Sequence, residues 1–256
     1  MVLPLLALIR FFFIEFNYMR NFMYTNLTIS NKSLLKRFSH GTRFKIAIEL
    51  LNPSSEDTIL DFGTGDGFML KCILSTGKAP EITGYEPVSY MYQELKESLA
   101  TEINNEAISV VQTLDFPAGR FSKISCLEVL EHLSEENQRA QICRMRDMLC
   151  DDGMLVISVP IEIGFASFCK NIARIILRQT HPNTSVGTVL KSLFGIKIDR
   201  GDEEYKPSHI GFYYPDFEKI VLSEKLDIKT KLFSPIRLFG RIMNSQVFYI
   251  ITKIQS

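Results

Sequence analysis

TILDFGTGDGFMLKCIL, residues 58–74, decides the fold. Thr58–Phe62 is a short apolar run interrupted by one carboxylate, Asp61, and reads as a strand. Gly63, Gly65 and Gly67 then alternate through a loop, and FMLKCIL continues as a helix. A glycine loop that leaves a strand and opens a helix places backbone N–H groups and the helix dipole where a nucleotide ligand binds. Its glycines permit close approach of that ligand to the backbone. Glu86, closing the next apolar run EITGYE, is placed to accept from two ribose hydroxyls. A dinucleotide fingerprint would want glycine at position 68, where this chain has Phe68.

The alternation continues outward from this unit. Strands are expected at 81–86, 108–112 (ISVVQ), 121–127 (FSKISCL) and from Met154 to Pro160, with helices over 89–100 and about 135–149. MLVISVP is apolar without alternation, the pattern of a strand covered on both faces of a parallel sheet. Asp151, Asp152 and Gly153 form the turn before it. Upstream, Phe44, Ala47, Ile48 and Leu51 share one face of a helix that Asn52 and Pro53 end. Toward the C-terminus a helix in PDFEKIVLSEK precedes LDIKTKLFSP and SQVFYIITKI, two strands expected to pair antiparallel at the sheet edge. The fold class is α/β: a doubly wound, mostly parallel, seven-stranded Rossmann-like sheet with an antiparallel C-terminal strand. The stretch 161–208 is too long for an ordinary loop and is expected to be a helical insertion after the fifth strand.

Composition narrows the class. The chain of 256 residues, 46% hydrophobic, can bury one sizeable core, expected over 41–256. Lys plus Arg equals Asp plus Glu, 29 each, so no global field draws the protein to nucleic acid. The five cysteines form no CxxC pair and no metal-finger spacing, which fits reduced thiols in a cytoplasmic protein. Residues 1–40 are an apolar segment and linker. MVLPLLALIRFFFIEF is broken by Arg10 and Glu15, shorter than the roughly 18–20 residues of a spanning helix, and without a signal-peptide cleavage site. It reads either as a monotopic anchor or as residues upstream of a natural start at Met19 or Met23.

LEVLEHL, residues 127–133, sets two carboxylates and an imidazole into an apolar run. Glu128, Glu131 and His132 stand at i, i+3 and i+4, so one helical turn would bring them to a single face. They follow the fourth strand, at the carboxyl edge of the sheet, where doubly wound folds bind ligands. Without a metal, His132 or His209 suits a general base. A plainer role makes Glu131 and His132 the N-terminal cap of the following helix.

The glycine loop resembles the first motif of the class I S-adenosylmethionine-dependent methyltransferases, an acidic residue followed by xGxGxG: here Asp61, Gly63, Gly65 and Gly67. The likeness runs from about residue 41 to the C-terminus and includes Glu86 and the antiparallel last strand. It implies that Asp61 lies near the amino acid portion of the donor, that the loop with Thr64 and Asp66 passes under it, and that Glu86 holds its ribose. Gln112 and Asp115 are the candidates for contact with adenine, and Ser122 stands where related sequences commonly have Asp. ExxEH resembles the small-RNA 2′-O-methyltransferases, in which two glutamates and two histidines hold a divalent cation, and its wording is shared by ubiquinone-pathway O-methyltransferases. That likeness implies a ligand set of Glu128, Glu131, His132 and His209 for Mg²⁺, Mn²⁺ or Zn²⁺, with Glu131, His132 and His209 as the catalytic residues. Such a cation would lower the acceptor hydroxyl's pKa and orient it.

The acceptor is less legible. The insertion carries Lys170, Arg174, Arg178, Lys191, Lys197 and Arg200 beside an apolar stripe, which suits an anionic, glycan or lipid-linked acceptor and peripheral membrane contact. A lid helix with a solvated basic face explains the same residues. The expected activity is O-methylation of a hydroxyl on a small-molecule, glycan or lipid-linked acceptor. The alternatives are RNA 2′-O-methylation, disfavoured by the neutral charge, and a donor-binding or membrane-associated protein without catalysis.

Overall fold

The computed structural model describes residues 34–78, 80–162, 205, 211–235, 240 and 244–254. The N-terminal apolar segment, His209 and most of the 161–208 insertion lie outside the described residues. The chain divides into two units between Lys45 and Ile46, and the second carries the sheet. Among the described residues no helix is long and apolar enough to cross a membrane.

Helix α1 (Leu34–Leu51) is followed by β1 (Thr58–Phe62), α2 (Phe68–Leu74), β2 (Glu81–Tyr85), α3 (Ser89–Ser98), α4 (Ala100–Asn104), β3 (Ser109–Val111) and β4 (Phe121–Leu127). A 3₁₀ turn (Leu130–His132) leads into α5 (Glu135–Met148) and β5 (Leu149–Pro160), and then come α6 (Tyr214–Ser223), β6 (Leu226–Ser234) and β7 (Gln246–Lys253). One sheet contains all seven strands in the order β3-β2-β1-β4-β5-β7-β6. The pairs from β3 through β5 are parallel, whereas β7 runs antiparallel to both β5 and β6. The expected mostly parallel α/β sheet is therefore present. β1 lies at its centre, and its Ile59, Leu60, Asp61 and Phe62 are all buried.

Three local departures have identifiable causes. QVFYIITK is apolar through Val247, Phe248, Tyr249 and Ile251, all buried, so β7 sits inside the sheet beside β5. The strand left at the edge is β6, whose Lys229 and Lys231 are exposed, as charged edge strands commonly are. The expected helix over 89–100 breaks at Leu99 (φ −113°, ψ 16°), whose side chain is buried against Gly67. Residues 150–153 belong to β5 but bulge out of its ladder: Phe121 pairs with Leu149, and Lys123 already pairs with Met154. Gly153 is required there, since a Cβ would stand 2.8 Å from the Ser122 carbonyl oxygen.

The amino ends of β1 and β4 are tied by Asp57. Lys123 Nζ donates to Asp57 Oδ2 at 2.7 Å and to the Asn52 carbonyl at 2.8 Å. Ser122 Oγ donates to Asp57 Oδ1 at 2.9 Å, and Ser54 donates through both its amide and its hydroxyl to Oδ2. Ser122, the departure noted in the sequence, thus serves the foot of the sheet. Burial by itself would push the Asp57 carboxyl up, but the bonds from Lys123, Ser54 and Ser122 outweigh it and hold the group below its ordinary value.

Lys123→Ala is expected to cost about 2 kcal/mol in urea unfolding, the scale of a hydrogen bond to a charged group. Because the folded pKa of Asp57 is depressed, its stabilisation is complete above the unfolded value and disappears as pH falls through the folded one. In Asp57→Asn that acid-side slope should flatten. An unchanged slope would mean that the network does not couple to folding.

Candidate active site

The glycine loop consumes its own amides. Gly63 and Thr64 both donate to the Tyr85 carbonyl, at 2.9 and 3.0 Å, and Gly67 donates to the Thr64 carbonyl at 3.0 Å. Gly65 donates to Glu86 Oε2 at 3.0 Å, and Phe68 donates to Asp66 Oδ1 at 3.1 Å. A pyrophosphate cradle needs such N–H groups turned outward. Here they hold the loop to the end of β2, so the loop offers a surface for a ligand to lie on.

The three glycines have different reasons to be glycine, though all have left-handed φ, 75°, 57° and 76°. A Cβ on Gly63 would stand 2.6 Å from Val129 Cγ2, and one on Gly67 would stand 2.7 Å from Leu95 Cδ1. Those two are closed by packing. Beside Gly65 the nearest neighbour would be Met91 Cε at 3.9 Å, so this glycine alone keeps an open face. The structure thus brings together Asp61, Gly63, Thr64, Gly65, Gly67 and Glu86. Glu86 is buried, with Oε1 accepting from the Val88 amide at 2.9 Å and Oε2 from Gly65. Each oxygen keeps a lone pair for a ribose hydroxyl.

Asp61 is 3% exposed and accepts from Ser125 Oγ at 2.6 Å. Burial pushes its carboxyl up to about 6, the hydroxyls of Ser125 and then Thr64 offset part of that rise, and the negative charges of Asp66 and Glu86 add to it. Asp66 itself is exposed and caps the start of α2. Asp115 is exposed and accepts from Thr113 Oγ1 at 2.8 Å. Gln112 Nε2 donates to Ser89 Oγ at 2.7 Å and to the Pro87 carbonyl at 3.3 Å, which joins it to the turn after Glu86. Of the two adenine candidates, Gln112 is the one tied to the ribose side.

LEVLEHL does not form one helical turn. Glu128 donates its amide to the Ser158 carbonyl at 3.0 Å and takes a left-handed φ of 56°, extending the β4–β5 ladder by one residue. Only then does the 3₁₀ turn over Leu130–His132 begin. The shared-face geometry expected for i, i+3 and i+4 is therefore absent. Ser158 Oγ lies 3.4 Å from Glu128 Oε1. Glu131 is 1% exposed, with Oε1 3.8 Å from His132 Nε2, and His132 is 28% exposed. The cap of α5 is Ser134, which accepts from the Asn137 amide, and the capping role considered for Glu131 and His132 falls to it.

Among the described residues no three His, Cys, Asp or Glu side chains converge to hold a cation, and His209 lies outside them. Val129 packs on Gly63, so the acidic-histidine turn adjoins the glycine loop. Two neighbours of the site escaped the sequence reading. Ser125 is a lone hydroxyl in an apolar strand, and only the β1–β4 register reveals its partner. Tyr205 stacks on His132, ring centroids 5.9 Å apart at 19°, and its backbone bridges Leu133; nothing in the sequence signals that contact.

Gly63→Ala and Gly67→Ala should each cost at least about 2 kcal/mol of stability, through overpacking added to positive φ. Gly65→Arg should cost only about 1–2 kcal/mol, from its positive φ without overpacking, yet abolish binding of the donor that the sequence implies, as read by calorimetry. If ionised Asp61 faces that cationic donor, affinity should fall about tenfold per pH unit below about 6, and in that range the free protein should release a proton on binding. A flat affinity between pH 5 and 7 would remove Asp61 from the site.

Comparison with known proteins agrees with this geometry. Residues 34–193 match the family model described as a methyltransferase domain. A methyltransferase of Oceanobacillus iheyensis is 30% identical over 105 residues, 40% of this chain and 46% of that relative, so the match spans about half the relative's length. Among solved structures, magnesium protoporphyrin IX methyltransferase from Synechocystis PCC 6803 with bound S-adenosylhomocysteine aligns with TM-score 0.56 at 14% identity, covering 96% of this chain and 99% of that one. The methyltransferase domain of bacterial CtHen1 aligns with TM-score 0.55 at 15% identity over 83% and 97%. A Pyrococcus horikoshii OT3 protein aligns with TM-score 0.57 at 13% identity over 87% and 92%. At such identities these structures share the fold, while the family match covers more than half of the chain. The chain belongs to the class I S-adenosylmethionine-dependent methyltransferases.

Proposed function

We propose that this methyltransferase acts on oxygen, transferring the donor's methyl group to a hydroxyl of a small-molecule, glycan or lipid-linked acceptor. The observation that carries the proposal is the pair Glu131 and His132. A buried carboxylate stands 3.8 Å from a half-buried imidazole, on the turn that packs against the glycine loop. The sulfonium donor is already activated, so the protein must align the acceptor and remove its proton. His132 is the base in this reading. Glu131 stabilises the imidazolium that forms, an effect strengthened by its exclusion from water. Tyr205, stacked on the imidazole, limits the ring's motion.

A cation-assisted mechanism would need His209 to join Glu128, Glu131 and His132, whereas the base mechanism needs no metal. The four described cysteines are free thiols, which supports a cytoplasmic location. The neutral charge balance keeps RNA below the other acceptors.

A labelled methyl-transfer screen over lipid extracts, polysaccharides, small phenols and RNA identifies the acceptor. With that acceptor, His132→Ala should lower kcat by about a hundred- to ten-thousandfold and leave donor affinity unchanged. Thorough chelation should not alter the rate, and loss of activity on chelation would replace the base mechanism with the cation-assisted one. Transfer to RNA alone would overturn the acceptor class.

A further inference from the structure

Asp61 and Ser125 stand opposite each other in the parallel register of β1 and β4, and both are buried in the middle of the sheet. Their contact, 2.6 Å from Ser125 Oγ to Asp61 Oδ1, has the length of a charge-assisted O–H···O⁻ bond. A hydroxyl has one proton, so the bond commits Ser125 as a donor. The amides nearest in the chain are engaged elsewhere: Gly63 and Thr64 donate to Tyr85, and Gly65 donates to Glu86. Among the described residues, the titratable groups that bear on Asp61 are Asp66 from the loop, Glu86 from the end of β2, and the thiols of Cys72 on α2 and Cys126 on β4. None of these supplies a positive charge. S-adenosylmethionine does, through its ammonium and sulfonium groups.

We propose that Ser125 is a positioning residue of the donor site, whose hydroxyl orients the Asp61 carboxylate and supports its charge so that the remaining lone pairs meet the donor's ammonium group. One carboxylate offers about four acceptor positions, and Ser125 occupies one of them. Without that bond only the Thr64 hydroxyl is left to fix the carboxylate, which holds its proton to higher pH, and both effects weaken capture of a cation. The inference rests on S-adenosylmethionine being the donor, and it is independent of the acceptor and of His132.

The test is calorimetric titration of the full chain with S-adenosylhomocysteine between pH 5 and 8. Ser125→Ala should weaken binding at least about tenfold, the scale of a lost hydrogen bond to a charged group, and should move the pH midpoint of binding upward. Ser125→Cys, nearly equal in volume and a poor donor, should behave in the same way and carries the test if the alanine variant folds poorly. Ser125→Thr, which keeps the hydroxyl, should restore most of the affinity. In an Asp61→Asn background Ser125→Ala should cause no further loss. An undiminished affinity with an unmoved midpoint would overturn the proposal, as would an equal loss in the Asp61→Asn background, which would make Ser125 a packing residue only. Failure of the unmodified protein to bind S-adenosylhomocysteine at any pH would instead overturn the donor assignment, and the proposal with it.

Discussion

The carbonyl oxygen of Tyr85 accepts two amide protons, from Gly63 and Thr64, and the site is arranged around that bifurcated contact. It joins the exit of β1 to the exit of β2, two strands already in register from Thr58 and Glu81 to Phe62 and Tyr85. With those exits held together, Glu86 follows Tyr85 directly into the loop and takes the Gly65 amide. The chain must then reverse within a few residues, which is why Gly63, Gly65 and Gly67 all adopt positive φ. A loop stitched this tightly has few N–H groups left for a phosphate. It can present an open backbone face at Gly65 with two buried carboxylates, Asp61 and Glu86, close to it. That arrangement supports the proposed donor site for a nucleoside with a cationic tail.

The strand–loop–helix unit that carries the glycine loop was legible because all of its information is local. The strand, the loop and the helix occur within seventeen consecutive residues, and glycine spacing reports backbone conformation directly. The acceptor half was not. A spacing of i, i+3 and i+4 predicts a shared face only if the helix has begun by Glu128, and the Glu128 amide is instead the last rung of the β4–β5 ladder. Whether a strand continues for one more residue depends on its neighbour, a long-range fact. The order of β6 and β7 was hidden for a similar reason. Both runs read as strands, and the apolar character of both faces of β7, which places it inside, is broken in β6 by Asp227, Lys229, Thr230 and Lys231.

The β1–β4 pair carries a carboxylate near each end, and the two are treated in opposite ways. At the foot, Asp57 receives Lys123, Ser122 and two bonds from Ser54, and its carboxyl is held low. Toward the top, Asp61 receives the Ser125 hydroxyl, the charges bearing on it are negative, and its carboxyl is raised to about 6. Both groups sit on β1 or just before it, so strand position does not account for the difference. The cation does. Where the carboxylate serves the fold, the chain supplies its own ammonium group, Lys123, and the charge is neutralised on folding. If Asp61 serves the donor as proposed, an internal cation there would fill the site that the ligand must occupy. The protein instead retains a partly satisfied buried acid, stabilised enough by Ser125 to ionise near neutral pH and left dependent on an incoming positive charge for the rest.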